Sequence, residues 1–233
     1  MLLTIVFGFS FTIAAQTVRQ KLEQQTDYQP RAVKPDEQLI EVARHFQIPM
    51  AIEWLDENPQ PDESAKLKFV KGPVLDLIKA IMDRAPLQNL IVEDRIVRIF
   101  APSAFSSRLN FLNLKLRAYC VSSESVQGAN FALRVNIDEI LYPEYFKNGF
   151  NGGYGGGEEL FWIKAINICL DHRSIRDLLT EIAAQSGKAI WIVNLKPAEL
   201  NRKEPFWKGV PVNEYGTSPL TGRWVFIPLR EDD

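Results

Sequence analysis

PDEQLIEVARHFQIPMAIEW, residues 35–54, changes its hydrophobic period half-way along. Pro35 suits a first helical position, Asp36 and Glu37 favour the positive end of a helix, and Leu39, Val42, Ala43 and Phe46 recur at helical spacing. After Gln47 the period falls to two, placing Met50, Ile52 and Trp54 on one face of a strand. An amphipathic helix running straight into a strand is therefore the first unit of the fold.

The unit extends downstream. A polar loop, DENPQPDES, precedes KLKFV, where alternation resumes, and a second helix begins at Pro73. That helix carries Val74, Leu77, Ile78, Ile81 and Met82 on its core side and stops before Pro86. LIVEDRIVRIF, residues 90–100, reads as a hairpin turning at residues 93–95. The order helix, strand, strand, helix, hairpin predicts a small α+β unit with two helices on one sheet face.

SIRDLLTEIAAQSGKAIWIV, residues 174–193, repeats part of this plan. Ser174 and Asp177 fit a capping box, Ile175, Leu178, Leu179, Ile182 and Ala183 form the stripe, and Gly187 suits the residue past the helix end. A shift of 140 positions pairs Leu39 with Leu179, Glu41 with Glu181, Val42 with Ile182, Ala43 with Ala183, Met50 with Ile190 and Ile52 with Ile192. This weak internal repeat favours two related modules. Between them, LNFLNLKLRAYCV is strand-like, SESVQGANFALR is a helix weakened by Gly128, VNIDEIL fits either type, and YPEYF is a short turn of helix. ELFWIKAINICL follows as an apolar strand, and WVFIPL is an edge or closing strand because Pro228 would break a central ladder. The expected fold class is α+β, with two small modules at residues 33–104 and 105–233, each with helices packed on one face of a small mixed sheet.

Composition places the chain among ordinary globular proteins: 233 residues, 46% hydrophobic and 24% charged. A net charge of -2 gives no electrostatic footprint for nucleic acid. MLLTIVFGFSFTIAAQ reads as the apolar core and small-residue cleavage site of a signal peptide over residues 1–15, although no Lys or Arg precedes Arg19; the other reading is a buried first strand. The run is too short for a membrane span, and no second such run exists, so no stable span is expected after cleavage. Residues 16–32 read as a polar linker. Export would place Cys120 and Cys169, the only cysteines, in an oxidising compartment; both a disulfide and two buried free thiols fit them.

The first module, residues 33–102, resembles the short N-terminal domain shared by secretins and TonB-dependent receptors. LIEVARHFQIP, MAIEW, KLKFVKGPVLDLIKAIMDRAP and NLIVEDRIVRIF carry the likeness, with Val74, Leu77 and Ile78 matching the family's helix-opening pattern of apolar residues. The second module looks like a more distant version with a glycine-rich insertion at residues 148–157. Members of that family use the domain in the periplasm to contact partner proteins. The series of alternating strands needed for an outer-membrane barrel does not follow here. The resemblance therefore implies a free-standing periplasmic interaction module whose partners are envelope proteins of a secretion or signalling system.

Little in the chain suggests chemistry. Cys169, Asp171 and His172 invite a nucleophile and base, but strand alternation sends His172 to the opposite side. No spacing of His, Cys and carboxylates suits a metal, and no cofactor is expected. FKNGFNGGYGGGEE, residues 146–159, holds six of the thirteen glycines, yet Glu158 occupies the third glycine position of a dinucleotide loop and a strand follows it. It reads as a long insertion in a strand connection. Its aromatics Phe150 and Tyr154, with Tyr145 just before it and Trp207 in the loop RKEPFWKGVP, form the candidate contact surface; the other readings are a carbohydrate platform, or aromatics that pack the loop down. A non-catalytic interaction module is the reading favoured, with a small-ligand or carbohydrate binder, or an envelope enzyme, sited between the modules as the alternative.

Overall fold

The structure is a computed structural model; it describes residues 16–56, 67, 69–85, 87–146, 165–208, 210, 220 and 222–229, with the side chains of 145 and 146 left out. The expected signal peptide and the glycine-rich insertion lie outside the described residues. In chain order the elements are α1 (Val18–Leu22), β1 (Gln25–Thr26), α2 (Pro35–His45), β2 (Met50–Leu55), β3 (Gly72–Pro73), α3 (Val74–Met82), β4 (Asn89–Val92), β5 (Val97–Phe100), α4 (Pro102–Ser106), a 3-10 turn (Phe111–Asn113), β6 (Lys115–Glu124), α5 (Val126–Leu141), α6 (Pro143–Phe146), β7 (Ile166–Ser174), α7 (Ile175–Ser186), β8 (Ala189–Leu195), α8 (Pro197–Leu200) and β9 (Trp224–Pro228). The fold is α+β, with mixed sheets and helices packed against strands.

Its centre is a five-stranded sheet in the order β4-β5-β2-β8-β9. Strands β5, β2 and β8 run parallel, while β4 and β9 pair antiparallel at the two outer positions. The expected boundary at residues 104–105 is crossed by this sheet, since β8 from the second segment lies beside β2 from the first. The offset of 140 positions is the register of that pair, with Met50 beside Ile190 and Ile52 beside Ile192. A translation from one unit to the other would keep both helices on one face. Instead α2 and α3 share one core with Met50, Ile52 and Trp54, whereas α7 and α5 share the other with Ala51, Leu55 and Trp191.

Local chemistry accounts for the helix ends. Lys34 precedes Pro35 at the start of α2, with Asp36 and Glu37 in the first turn and Arg44 and His45 in the last. Gln47 closes the turn after α2 at φ 54, and its carbonyl accepts from Lys21 Nζ at 2.5 Å. Helix α7 carries the expected Ser174–Asp177 capping box and ends on Gly187 at φ 64, a left-handed position that glycine occupies without cost. Gly128 sits in the first turn of α5, where its N–H is capped by Ser125 Oγ at 2.9 Å, so the helix runs unbroken through residues expected to be ambiguous.

Three expectations change. Residues 16–32 are no free linker: Thr17 and Gln20 form a capping box for α1, which buries Val18 and Leu22 against the α2/α3 core, and β1 pairs with β3. The apolar pair four residues apart supplies the docking face. Leu67, Phe69 and Val70 of KLKFV form no strand, and the pairing shifts to β3. Finally β2 is buried along its whole length, because parallel central strands are covered on both faces.

That double covering traps a charge. Glu53 is 2% exposed and accepts from Arg176 Nε at 2.5 Å and Nη2 at 2.8 Å. Arg176, in the first turn of α7, also donates to Asn113 Oδ1 and lies 3.9 Å from the centre of the Phe105 ring. Burial pushes the Glu53 carboxyl above its ordinary range, and the hydrogen bonds and charge of Arg176 pull it part of the way back. Arg176→Ala strands the carboxylate, and the expected cost is about 3–5 kcal/mol in urea unfolding at neutral pH. Without its partner the carboxyl rises further, so the native state takes up a proton more readily than the unfolded chain. The deficit should therefore narrow on acidification, and a deficit that grows instead would contradict this assignment.

Candidate functional site

The two outer strands of the central sheet differ in what they offer. In the β4–β5 hairpin, the Glu93 N–H donates to the Ile96 carbonyl at 3.0 Å, closing the turn with a hydrogen-bonded pair. Alternation along the ladder then makes Val92 with Val97, and Leu90 with Ile99, non-hydrogen-bonded pairs. Consistent with this, the Val97 N–H turns away from β4 and donates to the Pro49 carbonyl at 2.9 Å. The backbone groups of Leu90 and Val92 therefore point outward from the sheet, where no other described strand pairs with them. Asn89–Val92 carries no charge and no proline, and on this side Leu87 is 49% and Ile91 44% exposed.

Strand β9 is closed by comparison. The Leu229 N–H donates to the Lys188 carbonyl at 2.9 Å, so Trp224, Phe226 and Pro228 present the outward positions. The Trp224 carbonyl accepts from Arg134 Nη2 of α5 at 3.1 Å, the Trp224 indole N–H donates to Asn130 at 2.7 Å, and Pro228 has no N–H to offer. A cationic cap and a proline are recognised devices for blunting an edge. β4 has neither.

The residues singled out in the sequence are distributed differently. Phe150, Tyr154 and the side chain of Tyr145 lie outside the described residues. Trp207, expected in an exposed loop, is 6% exposed, packed edge-on against Phe206 at 5.0 Å and Phe111 at 6.3 Å between ring centres. The loop folds back on the core, where the Trp207 indole and the Phe206 ring bury apolar area. Beside Trp207 opens a cleft of about 460 Å³, bounded by Ile140, Leu141 and Tyr142 at the end of α5 and by Pro205 and Lys208. Among the described residues the buried Tyr142 hydroxyl has no hydrogen-bond partner, and burial pushes its pKa up. Lys208 is paired with Glu204 at 2.9 Å.

Cys120 and Cys169 are bonded to each other across β6 and β7, directly opposite in the ladder and facing solvent. Cys169 therefore carries no free thiol to serve as a nucleophile beside His172, which itself stands exposed at φ 51. His45, the other histidine, stacks on Tyr28 with ring centres 4.0 Å apart. Among the described residues no cluster of His, Cys, Asp and Glu is placed to hold a metal ion, and no helix is long and apolar enough to cross a membrane. The open edge escaped sequence reading because a strand's rank in its sheet is decided by distant segments. The available signal was NLIV itself, an uncharged run beside a tight turn.

No protein-family model matches the chain, and comparison with curated proteins and with solved structures finds no significant match to either.

The disulfide joins residues 49 positions apart and so restrains a long loop of the unfolded chain. Chain-entropy arguments put its contribution at up to about 4 kcal/mol. Reduction, or the double substitution Cys120→Ser with Cys169→Ser, should lower the unfolding free energy on that scale while leaving the far-ultraviolet circular dichroism unchanged. An unchanged thermal midpoint in the double variant would show that the bond constrains nothing.

Proposed function

We propose that this chain is an exported, non-catalytic protein-interaction module of the cell envelope, acting in the periplasm within a secretion or signalling system. The observation that carries the reading is the open edge of β4, a strand with outward backbone groups at Leu90 and Val92 and an exposed apolar side chain between them. An extended segment of a partner can add there as a further strand, with main-chain hydrogen bonds supplying affinity and alternate side chains supplying selectivity. The likeness of residues 33–102 to the short N-terminal domain of secretins and TonB-dependent receptors points the same way, and the Cys120–Cys169 bond suits an oxidising compartment.

A second reading rests on the apolar cleft beside Trp207, which has the size of a small-ligand site and on its wall the Tyr142 hydroxyl, unpaired among the described residues. It makes the protein a periplasmic small-ligand binder.

Crosslinking of tagged protein in intact envelopes, followed by affinity capture, separates the two. Ile91→Lys places a charge on the edge without touching the core and should remove the specific partner by about tenfold or more, on the scale of burying an unpaired charge at an interface. Partner recovery indifferent to this substitution would defeat the strand-addition reading. Saturable binding of a small apolar ligand that Trp207→Ala abolishes would favour the cleft.

A further inference from the structure

We infer that, without its partner, the β4 edge pairs with the β4 edge of a second copy of this chain about a two-fold axis through Ile91. The inference rests on the strand-addition reading and names what occupies the edge when no other strand does. Only Leu90 and Val92 present outward backbone groups along β4. Any antiparallel partner must therefore place its own outward residues opposite these two.

A second copy meets this condition in one register that leaves neither residue unused within the strand. Leu90 of each copy faces Val92 of the other, and each such pair exchanges both of its backbone hydrogen bonds. Ile91 then falls on the axis, opposite Ile91 of the second copy, in a non-hydrogen-bonded pair where Cα atoms stand about 4.5 Å apart. The side chain left 44% exposed in a single copy thus becomes the one covered by its own counterpart. Asn89 faces Glu93, an uncharged residue against a carboxylate, so the register brings no like charges together along the strand.

The competing registers are poorer. With Val92 on the axis, Ile91 faces Glu93 and Leu90 faces Asp94, each an apolar side chain against a carboxylate. With Leu90 on the axis, Ile91 faces Asn89, and Val92 faces Gln88, whose N–H is already bonded to the Ala85 carbonyl at 3.0 Å. The contact is isologous, so it closes on itself. It is also short, well under the roughly 1,600 Å² of a standard interface, so the dimer is expected to be weak and concentration-dependent.

Sedimentation equilibrium of the purified, disulfide-bonded protein tests this. The average mass should climb towards twice the chain mass as concentration rises, while Ile91→Lys stays at the single-chain mass with an unchanged thermal midpoint. Register is read independently by cysteine linkage under oxidised glutathione: Ile91→Cys should form a covalent dimer, whereas Asn89→Cys, displaced along the strand from its own counterpart, should not. A protein of single-chain mass throughout, with Ile91→Cys linking no more than Asn89→Cys, overturns the inference, as does a dimer that survives Ile91→Lys. Loss of self-pairing with partner capture still sensitive to Ile91→Lys would leave the strand-addition reading standing; capture insensitive to it would remove that reading by itself.

Discussion

The burial of Glu53 is the constraint on which the rest of the architecture turns. β2 lies third of five strands and is covered on both faces, so a carboxylate at its centre has no route to solvent. It requires a cation whose remaining donors are also satisfied. Arg176 meets that demand from the start of α7, with Asn113 from the turn before β6 and the Phe105 ring of α4 completing its surroundings. Three parts of the chain, around residues 53, 105–113 and 176, are thereby referred to one point. Because desolvation offsets most of the Coulomb gain, such a pair adds little net stability over an apolar pair of similar volume. Its geometry ties the first turn of α7 to the centre of β2.

That placement explains how much of the fold the sequence shows. Helix boundaries are legible because caps are local: Pro35 and the acids after it, the Ser174–Asp177 box and Gly187 act within a turn of chain. The strand MAIEWL is legible as a strand but not as a central one. Its alternation singles out Met50, Ile52 and Trp54, yet Ala51, Glu53 and Leu55 are buried as well. A lone acid in a run that is otherwise apolar on both faces was the available sign of double covering. The 140-position offset of the weak repeat coincides with the β2–β8 register, while the helices of the two segments pack into different cores. α1 was lost in a polar window because two apolar residues, Val18 and Leu22, suffice to dock a single turn.

The candidate site was less legible than the fold, for a related reason. Aromatics near glycines draw attention in a sequence, but Trp207 is held by Phe111, nearly a hundred positions earlier in the chain. The edge of a sheet is defined by what fails to pair, and pairing is non-local. NLIV and WVFIP look alike as short apolar runs. Arg134, a residue of α5, makes the difference at β9 by capping the Trp224 carbonyl and lying 5.0 Å from the centre of the Trp224 ring.

This asymmetry also limits assembly. A sheet open at both edges can add copies without end, which is the route to fibres, whereas one blunted at β9 grows more readily from β4. If the strand added at β4 comes from a different protein, growth ends there unless that protein brings an edge of its own. If it comes from a second copy, two-fold pairing consumes both open edges at once and leaves β9 at each end. Arg134 and Pro228 at one edge therefore bias what the outward backbone of Leu90 and Val92 and the exposed Ile91 at the other can lead to: a single strand-to-strand contact, made with one partner at a time.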